Sequence, residues 1–213
     1  MIDIAKIRKE YMLESLLETD MAPDPIKQFD RWWEQVLASS IEEANAMALS
    51  TLGSDGFPSA RMVLLKGYDQ NGFVFFTNYE SRKAQDLERH PQSSLVFFWR
   101  ELERQVRIEG MASKISAGES DAYFQSRPRG SQIGAWSSPQ SRVIANRSVL
   151  ENTRDSFDAC FAGQEVSRPA HWGGYVVKPL RIEFWQGRPD RMHDRILYTM
   201  ESPGLWRIER LAP

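Results

Sequence analysis

In Ala60–Lys66 both alternating sets of side chains are apolar, Met62 and Leu64 in one and Val63 and Leu65 in the other. Successive side chains of a strand point to opposite faces, so an extended segment of this kind has no side suited to water. It is expected to be covered twice, by a barrel interior and by a helix or a second subunit. The run Phe73–Phe76 makes the same demand. Turn sequences at Gly53-Ser54-Asp55-Gly56 and Asp69-Gln70-Asn71-Gly72 separate strands at Met47–Thr51, Ala60–Lys66 and Phe73–Thr77. Ser94–Trp99 and Gln105–Ala112 read as a hairpin, and closing strands are predicted near 173–187, 192–199 and 205–209. Helices are predicted over about 2–13, from Asp24-Pro25 through Leu37, from Ser81 to before Pro91, and near 117–126 and 146–162. The expected fold class is mainly β with flanking helices (α+β), a small β-barrel rather than a Rossmann sheet. Neither a Gly-x-Gly-x-x-Gly nor a Walker motif occurs, so a phosphate would have to be held by side chains and helix ends.

Composition excludes several function classes. Hydrophobic residues make up 41% and charged residues 26% of the 213, with a net charge of -2, which gives no basis for general nucleic-acid binding. Cys160 is the single cysteine, so an intrachain disulfide and a thiolate metal cluster are both impossible; between Phe157 and Phe161 it reads as a small buried residue. His90, His171 and His193 lack metal-ligand spacing, and no metal is expected. The N-terminus lacks the apolar run of a signal peptide, and Leu95–Trp99 is far too short to span a membrane. A soluble, cytoplasmic protein with no membrane partner is expected.

Charge is informative locally. Arg191, His193 and Arg195 alternate in Arg-Met-His-Asp-Arg, so an extended segment would put two guanidiniums and an imidazole on one face, near Trp185. Cations beside an aromatic plane suit a planar anion; the plainer reading pairs them with Asp190 and Asp194. Ser81 is a natural helix cap, yet Arg82 and Lys83 then sit in the first turn, where the helix dipole disfavours positive charge unless an anion binds or Glu80 compensates. From Ala122 to Leu150 there is no acidic residue, while Arg127, Arg129, Arg142 and Arg147 fall there. Tyr123 and Arg127 are four apart at a helix end that Pro128 terminates, and Ser131 can cap the next element. Together these form either a phosphate cradle or an exposed capped turn. Arg61 and Lys66 bracket the doubly apolar strand. Gln105 shares parity with Arg107 and Glu109 and reads as a solvent face, and Gln140 and Ser141 lie in a loop.

Taken in order, Arg61–Lys66, Phe76-Thr77-Asn78, Ser81-Arg82-Lys83, Leu102–Val106, Ser126–Arg129, Ser131–Trp136, Trp172-Gly-Gly174, Ile182–Gly187, Arg191–Arg195 and Arg210–Pro213 closely resemble the pyridoxine/pyridoxamine 5'-phosphate oxidase family across nearly the whole chain. The resemblance implies an FMN-binding split β-barrel in a single domain over 1–213, with N-terminal helices at about 1–40 and dimerisation and active-site strands at about 172–213. It implies a homodimer with flavin sites at the subunit interface. The reaction would be oxidation of pyridoxine 5'-phosphate or pyridoxamine 5'-phosphate to pyridoxal 5'-phosphate, with hydride passing to FMN and O2 giving H2O2. Family flavin contacts fall on Arg61, Met62, Val63, Leu64, Leu65, Lys66, Phe76, Thr77, Arg82, Lys83, Gln105, Gln140, Ser141, Trp185 and Arg195. Substrate contacts fall on Arg8, Lys9, Glu10, Tyr11, Lys66, Tyr123, Arg127, Ser131, Arg191, Met192 and His193. Arg191 and His193 would carry the catalytic roles, His193 as a possible proton acceptor. Two departures stand out: Phe76 where relatives often have tyrosine, and Glu43 near the place of an active-site aspartate. The competing readings are another split-barrel FMN oxidoreductase, a non-catalytic binder of FMN or pyridoxal phosphate, and a nucleic-acid binder using the 127–147 stretch.

Overall fold

The computed structural model describes residues 11–213; Arg8, Lys9 and Glu10 lie outside the described residues, as does most of the helix expected over 2–13. Tyr11–Leu13 are not helical. Helix α1 (Pro25–Leu37) starts as predicted, with Asp24 accepting the Ile26 N–H at 2.7 Å and Pro25 in the first turn. Strands β1 (Ala46–Leu52), β2 (Pro58–Leu64), β3 (Gly67–Asp69) and β4 (Gly72–Asn78) lead to α2 (Arg82–Arg89). Then come β5 (Gln92–Trp99), β6 (Arg104–Lys114), α3 (Ala117–Ser126), α4 (Arg129–Ser137) and α5 (Arg147–Cys160). The chain closes with β7 (Trp172–Gln186), β8 (Asp194–Ser202) and β9 (Leu205–Arg210). Among the described residues nine strands form one sheet in the order β2-β1-β5-β6-β7-β4-β3, with β8 on β7 and β9 on β8. The mainly β architecture with flanking helices is therefore as expected; the short strand β3 is an addition.

The chain forms two compact units, and four long strands contribute to both. The first comprises residues up to Leu49, Ser94–Gly110 and Pro179–Pro213. Its core packs Phe29 and Trp32 of α1 against Phe97 and Phe184, with Phe29–Phe97 ring centroids at 5.5 Å and Trp32–Phe184 at 5.1 Å. Here β7 pairs antiparallel with β8, Trp185 opposite Arg195. The second unit comprises Ser50–Ser93 and Met111–Lys178. In it β4 pairs with the first half of β7, Phe76 opposite Gly174. Phe73 and Phe75 are fully buried, as the apolar run required, and Phe124, Ile133, Val166 and Trp172 form a neighbouring core cluster.

Within the described residues of this chain, β2 lacks the second cover expected of it, and Cys160 is not buried. Strand β2 ends the sheet, and none of its residues is buried within the chain: Met62 is 64% and Leu64 38% exposed. Its second cover does not come from this chain's described residues. Cys160 is exposed, because α5 buries none of its residues; Phe157 and Phe161 turn only part of their surface to Trp136.

Candidate active site

In the second unit a cavity of about 470 Å³ opens between β2, β4, the start of α2 and the α3–α4 junction. It is lined by Met62, Val63, Leu64, Lys66, Phe76, Thr77, Lys83, Tyr123, Arg127, Pro128, Ser131, Gln140 and Trp172. Eleven of these are residues the sequence singles out; in the sequence Pro128 reads only as a helix stop and Trp172 as part of a Trp-Gly-Gly motif. Leu65 points away and is buried.

One side of the site is cationic. Lys83 Nζ donates to Gln140 Oε1 at 2.6 Å, Thr77 Oγ1 at 3.1 Å and Ser81 Oγ at 3.3 Å, all neutral acceptors. Burial, with the nearby Arg61 charge second, pulls the Lys83 pKa from 10.5 to about 8. Arg61 Nη1 donates to Thr51 Oγ1 at 2.8 Å, and that hydroxyl donates to the buried Asp86 carboxylate at 2.7 Å. Sequence inspection misses this buttress, since neither residue carries a motif. Arg82 pairs with Asp55 at 3.4 Å, and Glu80, the expected counter-charge, pairs with Arg142 instead. Ser81 occupies the N-cap position of α2 without capping it, because its Oγ donates back to the Asn78 carbonyl at 2.7 Å. A helix start without a side-chain cap, flanked by Arg82 and Lys83 and by an Arg61 charge that repels both, suits a phosphate. On that observation the residues present fit the phosphate end of FMN.

The other side is the α3–α4 junction. Of the four arginines in the acid-free stretch, Arg129, Arg142 and Arg147 find carboxylates at Asp158, Glu80 and Glu151. Arg127 has none. Its Nη1 is buried without a hydrogen-bond partner, and the guanidinium lies over the Trp172 ring, 4.5 Å from its centroid. Tyr123 stacks on Phe76 at 3.9 Å and faces the same cavity as Arg127, as their spacing predicted. Ser131 lines the cavity but does not cap a helix: α4 begins at Arg129, behind Pro128, and Ser131 sits inside its first turn. Gln140 contributes through Lys83, while Ser141, with φ 71°, is exposed.

The first unit holds a separate group. The Arg191-Met-His-Asp-Arg195 segment is not one extended face: Pro189–Arg191 form a 3-10 turn, Asp190 and Arg191 take φ of 54° and 61°, and strand β8 starts only at Asp194. Nor do Asp190 and Asp194 neutralise it, since Asp194 pairs with Arg210 and Arg188. Arg195 is committed to Glu183 at 2.8 Å, which it shares with Arg107 at 3.1 Å, and this hydrogen bonding raises its pKa. Arg191 and Met192 are exposed. His193 lies 4.7 Å from Trp185 by ring centroids, and Tyr11 packs edge-on against both at 5.7 Å. The His193 Nδ1 accepts the Arg188 backbone N–H at 3.1 Å, so the neutral ring carries its proton on Nε2. Burial, then the Arg191 charge, lowers its pKa and keeps it neutral near pH 7. The ring therefore presents an N–H donor at Nε2. Gln105 on β6 is half-buried rather than a solvent face, and Glu43 is exposed in a turn with φ 49°.

Residues 34–158 match the family profile described as pyridoxamine 5'-phosphate oxidase. The chain belongs to the pyridoxamine 5'-phosphate oxidase family. Residues 172–213 match the profile for the pyridoxine 5'-phosphate oxidase C-terminal dimerisation region. A pyridoxine/pyridoxamine 5'-phosphate oxidase of Cupriavidus metallidurans is 54% identical over 213 residues, covering 100% of both chains. One of a Nostoc species is 56% identical over 210 residues, covering 99% of this chain and 98% of that one. Among solved structures, PhzG from Burkholderia lata, in complex with tetrahydrophenazine-1-carboxylic acid, superposes with a TM-score of 0.87 at 28% identity, covering 94% of this chain and 99% of that one. A pyridoxamine 5'-phosphate oxidase-related FMN-binding protein of Nostoc punctiforme, at 17% identity and TM-score 0.70, shares the fold and covers 91% of this chain and 100% of its own. The split-barrel fold expected from the sequence is thus that of the oxidase family. The positions expected from the resemblance to contact flavin divide between the units: Gln105, Trp185 and Arg195 belong to the first, and the others to the second. Phe76, the departure from the family tyrosine, is occupied in stacking on Tyr123 and on Trp172, the latter at 5.3 Å.

Proposed function

We propose that this chain oxidises pyridoxine 5'-phosphate or pyridoxamine 5'-phosphate to pyridoxal 5'-phosphate, using FMN, as a cytoplasmic homodimer. The observation that carries the reading is Arg127: a half-buried guanidinium with no carboxylate and a buried, unpartnered Nη1, facing a cavity whose far side is a second phosphate-type site. Two anion sites in one cavity suit a phosphorylated cofactor and a phosphorylated substrate.

In this reading Arg61, Arg82 and Lys83 hold the FMN phosphate, with Thr77, Gln140 and Ser141 beside them, and residues 61–66 and Phe76 line the flavin through the edge strand. Gln105, Trp185 and Arg195 complete the flavin site; with flavin sites at a subunit interface, they come from the partner. FMN, when bound, supplies the two-electron acceptor for the C4' hydride and passes the electrons to O2, giving H2O2. Lys66, Tyr123, Arg127 and Ser131 bind the substrate phosphate, so that binding far from C4' is used to align it. Arg191 and Met192 cover the pyridine ring, the Nε2–H of His193 donates to a substrate oxygen or ring acceptor, and Tyr11 packs beside them. Arg191→Ala is expected to lower turnover about 10-fold or more with FMN occupancy unchanged, the loss of one charge-assisted contact to the reacting ring. Stopped-flow reduction and the flavin spectrum together check it, and unchanged turnover counts against a substrate role.

The deciding experiment is anaerobic addition of pyridoxine 5'-phosphate to FMN-loaded protein. Bleaching of the flavin absorbance, and its return with peroxide when air is admitted, is the expected result. A flavin that stays oxidised with both vitamin phosphates points to a different substrate on the same fold. Protein that cannot be loaded with FMN overturns the reading.

A further inference from the structure

Resting on the phosphate reading of Arg127, we propose that Trp172 is the positioning residue of the substrate-phosphate site. It holds Arg127 in place without neutralising it and braces Tyr123 through Phe76. A buried arginine is ordinarily fixed by a carboxylate, as Arg104 is by Glu14 at 2.7 Å in the first unit. A carboxylate would fix Arg127 equally well, but it would cancel the charge that an incoming anion needs and occupy its donors. An aromatic face attracts a guanidinium through its quadrupole and leaves the in-plane N–H groups free.

The geometry around Arg127 is of the second kind. Its guanidinium carbon lies 4.5 Å from the Trp172 centroid and 5.6 Å from that of Phe124, while Nη1 is buried and unpartnered. Burial lowers its pKa, yet guanidinium stays charged at neutral pH. The same indole stacks on Phe76 at 5.3 Å with planes 13° apart, and Phe76 stacks on Tyr123 at 3.9 Å. Trp172 is itself held from outside the cavity: it packs edge-on against Phe124 at 5.2 Å, and its carbonyl accepts from Arg168 Nη1 at 2.6 Å. One buried ring therefore sets the position of two side chains that reach the cavity from α3.

Trp172→Leu keeps an apolar side chain but removes the face. It is expected to raise KM for pyridoxine 5'-phosphate about 10-fold, the size of a desolvated cation–π contact, with kcat and FMN affinity within about two-fold. Trp172→Phe, which restores a ring, should recover most of that loss. In an Arg127→Ala background Trp172→Leu should add clearly less than it costs alone, because one of the two residues it positions is gone. Additive losses in the double variant, or a Trp172→Phe protein as impaired as Trp172→Leu, overturn the proposal. If Trp172→Leu does not fold, the Trp172→Phe and Arg127→Ala pair is read the same way: Trp172→Phe should raise KM about two-fold alone and by less than that on top of Arg127→Ala. An Arg127→Ala variant with an unchanged KM overturns the phosphate reading itself, whereas a raised KM there beside unchanged Trp172 variants overturns only the positioning role.

Discussion

Arg127→Ala is expected to raise KM for pyridoxine 5'-phosphate about 10- to 100-fold, the loss of a charge-assisted hydrogen bond of about 1.5–3 kcal/mol. Flavin affinity should stay within about two-fold, because Arg127 belongs to the α3–α4 side of the cavity and not to the start of α2. The discriminating control is the unphosphorylated vitamin, a poor substrate on which the substitution should have almost no further effect. Equal losses with and without the phosphate, or an equal fall in flavin affinity, would mean that Arg127 shapes the cavity and does not bind the anion. The prediction is sharp because Arg127 has no ion pair to lose: removing it leaves no carboxylate stranded.

Lys83→Met should weaken FMN binding by about 10- to 100-fold, again the scale of one charge-assisted contact. It should also change how binding depends on pH. With its pKa near 8, Lys83 is charged below that value and neutral above it. FMN affinity of the apoprotein should therefore fall as pH rises through 8 to 9, and the methionine variant should lack that step. The stability of the apoprotein moves in the opposite sense. Between about 8 and the ordinary 10.5 the unfolded chain holds the proton that the folded one has released, so this group's contribution to stability rises with pH. Fluorescence titration of the apoprotein with FMN, beside urea unfolding at the same pH values, separates the two trends. Affinity that is flat in the unsubstituted protein between pH 7 and 9 would remove Lys83 from the flavin phosphate.

Much of the cavity lining is legible in the sequence, for identifiable reasons. The Tyr123–Arg127 pair was readable because a four-residue helical spacing fixes a shared face whatever the surroundings. The β-rich core was readable because Phe73–Phe76 leaves no side for water. The Arg191–Arg195 segment misled because alternation implies a shared face only in extended backbone, and Pro189 with two left-handed residues breaks that condition. Cys160 misled for a related reason: an apolar residue at helical spacing signals burial only where another element covers the helix fully, and among the described residues α4 covers α5 only in part. Thr51, Asp86 and Trp172 could not be read as site residues at all, since their roles depend on what the sheet brings beside them.

The paired glycines at the start of β7 set a limit on how this cavity can be redesigned. A methyl group at Gly173 would run into the Tyr79 ring, and one at Gly174 would meet Ile115 and, at 2.9 Å, the edge of Phe76. That wall is defined from behind by side chains that are missing, so directed evolution has nothing to vary there without displacing Phe76. Ser131 and Pro128, exposed on the opposite wall, are free of such backing. Libraries aimed at bulkier substrates should be concentrated on that side, with the glycines held constant.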